Sequence, residues 1–81
     1  MNTYIYRTLD SEPEIFLVIA KKAIEADEIM SGLRNSFIEE GATNYTIDEY
    51  IQSLKTQKKE IMPVSLVKNG KIVETLYPEN S

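Results

Sequence analysis

The sequence predicts an α+β fold. The expected form is a two-layer sandwich of order β-β-α-α-β-β, with a helix pair on one face of an antiparallel four-stranded sheet. Three observations predict it. β-Branched and aromatic residues crowd the two ends of the chain. The middle carries two stretches whose apolar residues recur three and four apart. An Asn-Gly pair separates two strand-like runs near the C-terminus.

Residues 3–9, TYIYRTL, read as a strand with Ile5 and Leu9 on one side and Tyr4 and Tyr6 on the other. The DSEP cluster, residues 10–13, supplies a turn. Residues 14–21, EIFLVIAK, are a continuous apolar run. Ser11 to Glu14 also resembles a helix capping box with a first-turn proline. The β-branched content and the hairpin spacing from residues 3–9 favour a strand buried on both faces.

Residues 23–41 read as a helix. Ala26, Ile29, Met30, Leu33 and Phe37 form one stripe, and Gly41 suits the position just past a helix end. Residues 45–59 give the clearest helix. Thr46 and Glu49 complete a capping box, Tyr45 can staple onto Tyr50, and Ile47, Tyr50, Ile51 and Leu54 form the apolar stripe. Lys55, Lys58 and Lys59 complement the dipole at its C-terminus.

Asn69-Gly70, between VSLVK and KIVETLY, is the signature of a two-residue type I′ hairpin. The expected register places Val64, Leu66, Val73 and Tyr77 on one face and Val67, Ile72 and Leu76 on the other. Both faces are apolar, so the hairpin either lies inside a covered sheet or meets another subunit. Residues 78–81 read as a frayed tail.

MPVSLVKNGKIV, residues 62–73, resembles the C-terminal hairpin of thioredoxin-like proteins, with Pro63 in the place of that family's cis proline. The resemblance covers those residues alone. No Cys-x-x-Cys pair is present and no helix pattern follows residue 78, so the redox chemistry it implies has no thiol to carry it.

Eighty-one residues make one small domain, 1–81. The chain has no cysteine and no histidine, which removes disulfides, thiolate chemistry and the commonest general base. No apolar run reaches membrane-spanning length, and MNTYIYRT lacks the features of a signal peptide, so the expectation is a cytoplasmic protein. Net charge is −4, with ten acids against four bases in residues 1–49, and three against five in residues 50–81. That balance opposes phosphate-driven nucleic-acid binding and suits a basic protein partner. Carboxylates cluster at Glu25, Asp27 and Glu28, at Glu39 and Glu40, and at Asp48 and Glu49. The first and third clusters fall in first helical turns, where the dipole accounts for them. No calcium loop, phosphate loop or nucleophile motif is present. No catalytic, cofactor or metal site is expected.

The reading that follows is a non-enzymatic protein-binding module, acting on a protein partner or on itself as a homodimer through the terminal hairpins. Its expected surface is Tyr4, Tyr6 and Tyr77 on a free sheet face, with Glu25, Asp27 and Glu28 at the start of the first helix. Size, acidity and Ile/Lys/Asn/Glu-rich style also suit a phage or mobile-element accessory protein that binds or inhibits a host defence protein. The alternative is a nucleic-acid-binding module that stacks bases on the tyrosine face.

Overall fold

The computed structural model describes residues 1–78. The fold is α+β, with two helices and a five-stranded mixed sheet. β1 (Asn2–Thr8) and β2 (Ile15–Ala20) form the expected antiparallel hairpin, in register from Asn2 opposite Ala20 to Arg7 opposite Ile15. Thr8 closes its loop. Its N–H donates to the Glu14 carbonyl at 3.0 Å, and its Oγ1 accepts from the Glu14 N–H at 2.9 Å. The run expected over residues 14–21 is thus a strand, Ile15–Ala20, and not a helix start.

The helix expected over residues 23–41 is two elements. α1 (Ala23–Leu33) ends where Arg34 turns extended, at φ −144° and ψ 150°. After Asn35 and Ser36 the chain becomes β3 (Phe37–Thr43), antiparallel to β1. The helix propensity of Glu39 and Glu40 is overridden because β1 would otherwise be an open sheet edge. Phe37 serves either pattern, and as a strand residue it packs edge-on against Tyr6 with ring centroids 5.5 Å apart. Gly41, expected to follow a helix, instead sits at φ +135° beside a bulge: Ile5 faces Gly41 and Tyr6 faces Glu39, leaving Glu40 as the extra residue.

α2 (Ile47–Thr56) carries its capping box as expected. Thr46 Oγ1 accepts from the Glu49 N–H at 3.2 Å, and Glu49 Oε1 accepts from the Thr46 N–H at 2.9 Å. Tyr45 lies 6.5 Å from Tyr50 between ring centroids. The helix stops on Lys58 at φ 58°, with the Lys58 N–H bonded to the Lys55 carbonyl and the Lys59 N–H to that of Leu54. That is a Schellman end with lysine where glycine is usual.

β4 (Val64–Lys68) runs parallel to β2, and β5 (Lys71–Leu76) returns antiparallel to β4. The turn is type I′, with Asn69 at φ 55° and Gly70 at φ 75°. Pro63 is joined by a trans bond, as are the other described residues. The expected register holds for Lys68 with Lys71 and for Val67 with Ile72, then slips: Leu66 faces Glu74 and Val73 is left over as a bulge. The slip brings Leu76 opposite Val64, and the Ser65 and Thr75 hydroxyls meet at 2.8 Å. Of the expected tail, residues 79–81 lie outside the described residues.

The sheet order is β3-β1-β2-β4-β5, so the expected four-stranded antiparallel sheet is five-stranded and mixed. The helices do not pair on one face. α1 sends Ala26 and Met30 into a core with Tyr4, Tyr6, Phe16, Val18, Ala20 and Val67. α2 sends Ile47, Tyr50, Ile51 and Leu54 into a second core with Ile5, Ile15, Leu17 and Val64. The residues alternate along β1 and β2, so the two cores lie on opposite faces of the sheet.

Two substitutions check these turns. Gly70→Val forces a β-branched residue to positive φ and costs about 1–3 kcal/mol. Lys58→Gly relieves a left-handed lysine and raises stability by about 0.5–1 kcal/mol, less than the full relief because glycine also frees the unfolded chain. Urea denaturation of each variant measures both effects.

Candidate protein-binding surface

The six residues expected to form a binding surface are dispersed. Tyr4 and Tyr6 lie under α1, and Tyr6 is 0% exposed. Tyr4 and Tyr6 therefore offer no free face among the described residues, because α1 covers the side of β1 that was expected to stay open. Tyr77 is exposed, at 71%, just beyond β5. Glu25 is half-buried, and Asp27 and Glu28 are exposed on α1.

Tyr6 and Asp27 are brought together, but as a structural pair. The Tyr6 hydroxyl donates to Asp27 Oδ1 at 2.5 Å and so anchors α1 to the sheet through a buried ring and an exposed carboxylate. Burial raises the Tyr6 pKa far above the ordinary tyrosine value, and the hydrogen bond to Asp27 raises it further, since tyrosinate beside a carboxylate is disfavoured. Burial also raises Tyr50, with a smaller push from Glu40.

Glu25 and Tyr77 belong to opposite ends of β5. Glu25 lines a shallow recess of about 360 Å³ with Ile19, Ile29, Lys68 and Gly70 at the hairpin tip. Tyr77 lines one of about 480 Å³ with Glu12, Glu14, Glu60 and Met62 at the other end. In the second, Glu14 is already paired with Arg34 at 3.2 Å, and the Arg34 guanidinium sits 5.1 Å above the Phe16 ring. Arg7 and Glu40 pair at 3.3 Å across β1 and β3. Among the described residues, no group of three or more Asp and Glu side chains is placed to hold a metal ion. No helix among them is long and apolar enough to cross a membrane.

What joins the two recesses is β5. It is a sheet edge, and its first four residues are exposed, including Ile72 at 42% and Val73 at 55%. With Tyr77 they are large exposed apolar side chains on an edge strand whose outward backbone groups are unpaired. Sequence reasoning found the apolar excess of this hairpin. It missed Ile72 because the edge position of β5 depends on distant connections, and Val73 because the bulge is invisible in the periodicity. No family model, curated protein or solved structure matches the chain.

The Tyr6–Asp27 pair yields a prediction. Tyr6→Phe keeps the ring and lets exposed Asp27 resolvate, so it costs about 1 kcal/mol at neutral pH. The raised folded-state pKa sets the alkaline behaviour. The wild type has full stability below pH ~10, where unfolded tyrosine is still protonated. Above that the unfolded chain holds fewer protons than the native one, so stability falls as pH rises. The gap between wild type and Tyr6→Phe therefore narrows at alkaline pH, which urea melts across the alkaline range will record.

Proposed function

We propose that this chain is a non-enzymatic protein-binding module whose contact surface is the outer edge of β5. One observation carries the reading: Ile72, Val73 and Tyr77 stand exposed along a sheet edge. Such an edge offers a partner main-chain hydrogen bonds for affinity and alternating side chains for selectivity. The chemistry of the sequence supports a binding role over catalysis. With no cysteine and no histidine, acid–base work falls to carboxylates, tyrosines and lysines. The pair of these held in contact, Tyr6 and Asp27, ties a helix to the sheet.

The reading is tested by affinity capture from the source cell with three baits. Wild type and Ile24→Lys, which alters an exposed apolar residue on α1, recover the same partner. Val73→Lys recovers it at least about tenfold less, as expected for a residue at an interface centre. Equal recovery with Val73→Lys would move the surface elsewhere.

A further inference from the structure

We infer that the strand that pairs with β5 is β5 of a second copy, antiparallel, making a two-fold dimer with one continuous ten-stranded sheet. The inference rests on β5 being the contact surface and names its occupant.

The register follows from the hairpin. Lys68 and Lys71 flank a two-residue turn, so their backbone groups bond each other. The next residue, Ile72, therefore directs its N–H and C=O outward. The bulge then delays the alternation by one residue. Glu74 faces Leu66 and Thr75 faces Ser65, so Thr75 is the next residue with outward groups. Two copies related by a two-fold axis between Val73 and Glu74 bond Ile72 of each to Thr75 of the other. The same register sets Lys71 opposite Leu76 and so overlaps the six residues of β5 completely. Of the two-fold alignments that pair outward residues, this one uses both Ile72 and Thr75 and overlaps the whole strand. It also brings Tyr77 opposite Gly70 of the second copy, where no side chain obstructs the ring.

Charge favours the same occupant. Lys71 and Glu74 are the charges on β5, opposite in sign. Without the bulge, residues three apart would lie on opposite faces of the strand. Lys71 faces Lys68 and Glu74 faces Leu66, two positions apart on β4, so both share one face. In the two-fold pairing, Lys71 of each copy lies diagonally across from Glu74 of the other, within reach of a long side chain. The pattern is self-complementary, as an isologous contact requires. A bulge discourages indiscriminate strand addition; here it also aligns the charges that admit a second copy.

The strand is short, so the dimer is a weak one. Sedimentation equilibrium from about 1 µM to 1 mM should show a monomer passing to twice its mass. Lys71→Glu and Glu74→Lys each meet a like charge at two symmetric contacts and weaken the dimer about tenfold. The double swap K71E/E74K restores it to within about twofold of wild type. Amide exchange supplies a second readout, with Ile72 and Thr75 gaining protection in wild type as concentration rises. A monomer throughout, a dimer indifferent to both single swaps, or failure of the double swap to rescue would overturn the inference. If the protein stays monomeric while Val73→Lys still loses a cellular partner, the second copy is wrong and the protein-binding reading stands.

Discussion

The fold depends on β2 being apolar on both faces. Ile15, Phe16, Leu17 and Val18 are all buried, and successive strand side chains point opposite ways, so each face of the sheet receives two of them. Burying each of the larger side chains is worth about 2 kcal/mol. A sheet covered on one side only would forfeit half of that. β2 therefore needs a layer above, a layer below and a strand on either flank. α1, α2, β1 and β4 supply these in turn.

Chain connectivity shows how one short chain provides both layers. β3, β2 and β4 are mutually parallel, since β3 and β2 each run antiparallel to β1 and β4 runs parallel to β2. The link from β2 through α1 to β3 crosses β1 in one direction along the sheet. The link from β3 through α2 to β4 travels back the other way. Crossovers between parallel strands are almost always right-handed, and two of one hand that run in opposite directions must put their helices on opposite faces. Placing the middle segment at the far edge as β3 is what splits the helix pair. β5 comes last and lies outside this scheme, next to β4 alone.

Most local features were legible in the sequence because they depend on neighbours in the chain. Thr46 and Glu49 specify the start of α2, Asn69 and Gly70 specify the turn, and the β-branched run specifies β2 over a helix. The features that were not legible depend on partners distant in sequence. Phe37 fits a helical stripe after Leu33 equally well, and only the open edge of β1 makes it a strand residue. Asn35 and Ser36 were the available signal, a polar pair between two apolar runs, outweighed by Glu39 and Glu40. The tyrosine face was misplaced for the same reason. Tyr4 and Tyr6 alternate against Ile5 as read, but which side a helix covers is a property of the connections. The bulge at Val73 had no signal, and neither did the edge position of β5, which the connections between distant strands decide.

The two edges of the sheet are not treated alike, and the contrast locates that surface better than exposure alone. β3 carries Glu39 and Glu40 in succession, the second at a bulge, followed by Gly41 at positive φ. Adjacent like charges and a broken ladder are devices that keep strands from adding to an edge. β5 also has a bulge, but its charges are one lysine and one glutamate, and between them stand Ile72 and Val73. If both edges accepted strands, copies would join head to tail without closing. Under the proposed pairing, discouraging addition at β3 while leaving β5 open would confine association to one edge, and a β5 edge that met its own copy by a two-fold axis would leave no further strand there to extend.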